Sequence, residues 1–133
     1  MNTCAQSSLE YLLLLAAFFA CLGLVLPVMF QTTQDFLSAE DDLLAKRISN
    51  TLNEQVNLMQ FLGDSSEKSF EFIPLKSISI YSKNSELIIE TKNKSFSVDF
   101  RSPQLILKQE FANKFLITLK KTGGNVQATL KSA

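Results

Sequence analysis

A chain of 133 residues suits one compact domain plus an anchor and leaves little room for two independent cores. Thirteen basic and thirteen acidic residues cancel, and the cations are scattered rather than gathered, which excludes the basic footprint of a nucleic-acid binder. Histidine is absent, so there is no imidazole base and no imidazole metal ligand. Cys4 and Cys21 both lie near the N-terminus, where they cannot staple the rest of a fold.

From Tyr11 to Phe30 the sequence carries twenty residues without a charge, YLLLLAAFFACLGLVLPVMF. At about 1.5 Å of rise per residue, a helix of that length covers roughly 30 Å, the thickness of a bilayer's hydrocarbon core. A buried core helix is the alternative, but a head this small could not cover it on every side. An ordinary secretory signal needs a positive leader and a small-residue cleavage site. Met1–Leu9 holds no Lys or Arg, and Pro27–Gln31 offers no such site. A lipoprotein cut before Cys21 would need a lipobox, and Phe18-Phe19-Ala20 is too bulky for one. Cys21 therefore reads as a small hydrophobe on a membrane helix. Pro27 would break a helix in water at about 3 kcal/mol, but membranes tolerate it as a kink. The expectation is a bend near Val25–Val28 rather than a stop.

Ahead of this run stands Ala5-Gln6-Ser7-Ser8-Leu9-Glu10-Tyr11-Leu12, with the carboxylate of Glu10 at the mouth of an apolar stretch. An acid there can simply mark the membrane–water boundary. The whole string, however, resembles the class III signal peptide of archaeal type IV pilin-like proteins: a small residue, a Gln-Ser pair, a Glu, then a long apolar segment. Ala5, Gln6, Ser7 and Glu10 carry the match, which covers Ala5 to Phe30, and Pro27 falls where pilin helices often carry a proline. The leader departs from the family pattern in having neither Lys, Arg nor Gly before the cut.

The resemblance implies that residues 1–5 form a leader cut by a prepilin peptidase between Ala5 and Gln6, with Gln6, Ser7 and Glu10 recognised. It implies that residues 6–30 stay on the mature chain as a transmembrane and assembly helix. The N-terminus would be cytoplasmic and the head extracytoplasmic, reaching the cell surface in a filament. An assembly platform and motor would be partners, alongside like pilin subunits. Cleavage would give Gln6 a new α-amino group, cationic below its pKa of about 7.7–8.0. Glu10 could pair with that group on its own or a neighbouring subunit and so set the axial register of packed helices. Ala16, Ala20, Gly23 and neighbouring Ala17 would let backbones approach.

Residues 31–62 keep helical spacing, with Leu44, Ile48, Leu52, Val56, Met59 and Leu62 forming one stripe. Its steps of four drift from a coiled-coil repeat, which favours contact with the chain's own sheet. Gly63-Asp64-Ser65-Ser66 supplies the stop. One near-continuous helix from about Ser8 to Leu62 is expected.

After Gly63 the period changes to two. Phe96–Phe100, Phe115–Leu119 and Val126–Leu130 alternate cleanly, and Phe70–Ile73, Ile78–Tyr81, Glu86–Thr91 and Leu105–Lys108 are shorter candidates. Lys83-Asn84-Ser85, Lys92-Asn93-Lys94, Ser102-Pro103, Asn113 and Gly123-Gly124-Asn125 are the turns between them. Short connections make the neighbours antiparallel. The fold class is α+β: a long N-terminal helix, membrane-spanning in its first half, whose second half packs against a small antiparallel β-sheet head over residues 63–133.

Within the head, Glu71, Glu86, Glu90, Asp99 and Glu110 fall mostly on the polar phase of strands and read as solvated faces. No Ser has a His to activate it, and Gly123-Gly124 lacks the Lys-Ser/Thr of a phosphate loop. No catalytic, metal-binding or cofactor-binding set is expected. Asn93-Lys94-Ser95 fits the N-glycosylation sequon on an expected turn. The resemblance thus points to a pilin-like structural subunit of an archaeal type IV pilus-like surface filament or of a related secretion or adhesion system. The alternative is a single-pass membrane-anchored binding module whose β head recognises a ligand and which never enters a filament.

Overall fold

Before Gly63 the sequence holds one glycine, Gly23, and one proline, Pro27, so little interrupts helical hydrogen bonding over its first sixty positions. In the computed structural model, which describes residues 3–101 and 104–132 with side chains from Ser7 onward, a single α-helix results. It is α1, Thr3–Met59, and it continues through Pro27 without a stop. The expected turn at Ser102-Pro103, like Met1, Asn2 and Ala133, lies outside the described residues. The chain divides into two compact units, one ending at Phe36 and the other beginning at Leu37.

The second unit holds the end of α1 and seven strands: β1 (Glu67–Phe72), β2 (Ile78–Lys83), β3 (Glu86–Glu90), β4 (Ser95–Asp99), β5 (Gln109–Phe111), β6 (Phe115–Thr122) and β7 (Asn125–Ser132). They form two antiparallel sheets rather than one, in the orders β1-β6-β7 and β4-β3-β2-β5. Two-residue loops close the hairpins β2–β3 and β6–β7, pairing Lys83 with Glu86 and Thr122 with Asn125. Such loops need backbone in the left-handed region. Asn84 (φ 59°), Gly123 (φ 59°) and Gly124 (φ 81°) supply it.

One hydrophobic cluster joins these elements. From α1 come Ala45, Ile48, Leu52, Val56 and Met59, which follow the four-residue stripe; Leu44 is only partly buried and Leu62 is exposed. From the four-stranded sheet come Ile78, Ile80, Leu87, Ile89 and Val98, and from the three-stranded sheet Phe115, Ile117, Leu119, Val126 and Ala128. In each strand these are alternate residues, as a sheet with one covered face requires. Phe111 of β5 stacks on Phe115 of β6 with ring centres 4.7 Å apart, and Phe72 of β1 stands 5.8 Å from Phe115. The two sheets therefore meet through aromatic contact as well as aliphatic burial.

Leu105–Lys108, expected as a strand, forms none. The reason is a side chain. Ser82 of β2 donates its backbone N–H to the Ile106 carbonyl (3.0 Å), as a ladder would. Its hydroxyl then donates to the Gln104 carbonyl and accepts from the Ile106 N–H, both at 2.6 Å. A hydroxyl that supplies the neighbour's hydrogen bonds displaces the backbone partner needed for a regular ladder. Leu105 and Leu107 are left facing outward. The short β5 takes the pairing with β2 instead, through Ile78–Phe111 to Ile80–Gln109.

The end of α1 is earlier than the stop expected at Leu62. Gln60, Phe61 and Leu62 each donate to the carbonyl three residues back, tightening the last turn. No basic residue stands in that last turn. Lys121 of β6 supplies the missing donor, its ammonium reaching the carbonyls of Gln60 (3.0 Å) and Leu62 (2.6 Å). Its own backbone N–H and C=O pair with Ser66 and Ser65, both at 2.9 Å.

Candidate functional site

The residues from Leu9 to Phe30 place fourteen large apolar side chains on the surface of α1, from Leu9 and Tyr11 to Met29 and Phe30. The apolar window is wholly unburied within the chain and is long enough to cross a bilayer. Leaving such side chains in water forfeits about 1.5 kcal/mol or more each, on the order of 20 kcal/mol in total, which exceeds the ~5–15 kcal/mol that holds a domain folded. An apolar environment outside the chain must cover this surface. This part of α1 is a candidate membrane anchor.

Polar groups at its borders are handled differently at the two ends. Glu10 is exposed at the first turn of the apolar run. At the other end, Thr32 and Thr33 turn their hydroxyls back onto the carbonyls of Val28 and Met29, each at 2.8 Å. Those hydroxyls satisfy themselves within the helix and impose little cost in an apolar setting. The backbone at Ala5 and Gln6 belongs to α1, while their side chains lie outside the described residues.

Ala16, Ala20, Gly23 and Pro27 follow one another at intervals of four, three and four, so helical periodicity puts all four on one narrow stripe. Ala16, Ala20 and Gly23 are exposed, and a Cβ added at Gly23 would meet nothing within 4 Å. Pro27 lacks the N–H that would donate to the Gly23 carbonyl. Along this stripe a second helix could approach the backbone closely. Phe18 and Phe19 are adjacent exposed rings in edge-to-face contact at 5.9 Å. Cys21 is exposed on the same apolar surface and is a free thiol.

The head has its own polar cluster, which spacing did not reveal. The Asp41 carboxylate, 3% exposed, accepts from the backbone N–H groups of Leu75 (2.8 Å) and Lys76 (2.9 Å). Asp42, on the next residue of α1, accepts from the Thr91 hydroxyl at the β3–β4 turn. The Lys76 ammonium reaches the Ser38 hydroxyl at 3.1 Å. These buried and half-buried groups lock α1 to two loops. They are already engaged with one another and with backbone, which suits a structural tie rather than proton transfer to a substrate.

Among the acids on the strands, Glu86 and Asp99 stand opposite each other across β3 and β4. Glu71 pairs with Lys114 at 2.8 Å and Glu90 with Lys108 at 2.6 Å, both on open surface. The hydrogen bond to Glu90, aided by nearby negative charge and opposed by desolvation, raises the Lys108 ammonium above the ordinary lysine value of 10.5. Glu86 and Asp99 share an open depression of about 640 Å³ with Lys83 and Arg101. There Arg101 donates its backbone N–H to Asp99 at 2.8 Å and its guanidinium to Gln60 at 3.2 Å. Among the described residues, no group of three or more Cys, Asp or Glu side chains is arranged to hold a metal ion. Asn93 is exposed in the β3–β4 turn. The chain matches no protein-family model, no curated protein and no solved structure.

Proposed function

We propose that this chain is a pilin-like structural subunit of a type IV pilus-like surface filament of the archaeal kind. A prepilin peptidase removes residues 1–5 by cutting between Ala5 and Gln6, guided by Gln6, Ser7 and Glu10. The mature chain then rests in the membrane through its apolar helix, with the N-terminus cytoplasmic and the head outside. A platform and motor move that helix from lipid into a bundle of like helices. The transfer never exposes it to water, so its apolar surface stays covered throughout. The chain acts by assembly and carries out no reaction of its own.

One observation supports this reading above the others: a wholly unburied apolar helix follows directly on Ala5-Gln6-Ser7 and Glu10. The stripe of Ala16, Ala20, Gly23 and Pro27 gives like helices a face for close contact, and the compact head supplies a folded surface for display. Intact-mass measurement of the protein from native membranes tests the reading. A start at Gln6 supports it. A start at Met1 overturns it in favour of a plain membrane anchor, and a lipidated Cys21 in favour of a lipoprotein.

A further inference from the structure

We infer that Asn93 is an N-glycosylation site, its side-chain amide accepting an oligosaccharide from a lipid-linked phosphate donor. Among the chain's asparagines, Asn93 alone is followed by any residue and then Ser or Thr. A sequon becomes a site only where an enzyme can reach it, and the fold presents this one openly. Asn93, Lys94 and Ser95 are all exposed. Ser95 opens β4, an edge strand of its sheet, so no further strand covers the backbone on its far side.

The turn is also held so that its own polar groups are spent inward. The Thr91 N–H donates to the Lys94 carbonyl at 2.8 Å, and the Lys94 N–H donates to the Thr91 hydroxyl at 3.1 Å. That hydroxyl in turn donates to the buried carboxylate of Asp42. Thr91 and Lys94 thus anchor the base of the turn, and Asn93 stands on it exposed, between the exposed Lys92 and Lys94. A bulky glycan added here would displace none of these contacts.

The transfer forms a bond between the Asn93 Nδ2 and the anomeric carbon of the sugar. It breaks the bond from that carbon to the donor's phosphate oxygen. The lipid phosphate departs with the electron pair, and the amide gives up one proton to an enzyme base. The donor and enzyme act on the extracytoplasmic side, so the inference rests on the topology proposed above.

The test expresses the full chain, carrying a second sequon on a short C-terminal tag, in cells whose own reporter glycoprotein is verified as glycosylated. Peptide mass spectrometry then reads both sites. The expected result is a glycan mass on the Asn93 peptide that is lost in Asn93→Gln and in Ser95→Ala, while the tag keeps its own. A glycosylated tag beside an unmodified Asn93 overturns the site and leaves the exported head standing. If neither sequon is modified, both the site and the topology fall.

Discussion

The Lys121 ammonium lies 2.6 Å from the Leu62 carbonyl, so a strand side chain caps the end of α1 from across fifty-nine residues of sequence. Only 8% exposed, that cation meets the negative end of the helix and the carbonyls freed there. Lys121→Met preserves length and apolar stem but removes the donors. It should destabilise the head by about 1–3 kcal/mol. Urea denaturation of the detergent-solubilised full chain reads this as a lower midpoint with an unchanged slope. An unshifted midpoint would show that the cap contributes nothing.

Asp41 ties α1 to the loop between β1 and β2 by accepting two backbone N–H groups with one carboxylate. Asp41→Asn retains one acceptor and turns the other into a donor facing a donor. The expected loss is about 1–3 kcal/mol, with faster amide exchange at Leu75 and Lys76. Exchange at those two amides equal to the parent's would refute the tie.

Ser82→Ala should loosen the stretch from Gln104 to Lys108 without disturbing the β2–β3 hairpin. It deletes the hydroxyl that bridges Gln104 and Ile106, at an expected cost of about 1–2 kcal/mol. Hydrogen exchange resolves the effect by position. Protection at Ile106 should fall, while protection at Ile88 and Ile89 stays. If the hairpin amides change equally, the serine holds the whole sheet rather than one segment.

Glu10→Gln tests the proposed assembly. The substitution makes the helix easier to bury in lipid, since an unpaired acid costs roughly 2.5–3.5 kcal/mol near mid-bilayer and less at the edge, where Glu10 stands. Membrane insertion should therefore persist while the yield of sheared filaments falls at least tenfold. Filament yield equal to the parent's would remove any role for Glu10 in register.

Much of this architecture was legible in the sequence because it rests on periodicity. The stripe Ile48-Leu52-Val56 is a helix pattern and Ile117-Thr-Leu119 a strand pattern, while the uncharged run Tyr11–Phe30 was legible from its length. The hairpins at Asn84-Ser85 and Gly123-Gly124 followed from residues that tolerate positive φ. What the sequence could not disclose was long-range pairing. Alternation in Leu105–Lys108 looks the same whether or not Ser82 intercepts its hydrogen bonds. Asp41, Asp42 and Lys121 resemble ordinary surface charges until their partners, tens of residues away, are known. The division into two sheets was hidden for the same reason, because β1 skips four strands to find β6.

That skipped pairing has a consequence for how the molecule is made. Glu67 of β1 lies opposite Lys120 of β6, so a loop of roughly fifty residues must close before the first strand has any neighbour. The meander β2-β3-β4 can form from local contacts as soon as it leaves the ribosome. The segment Glu67–Phe72, with Phe70 and Phe72 on it, must wait uncovered until almost the last residue is synthesised. A nascent chain stalled before Phe115 would present that open edge to any other strand in reach.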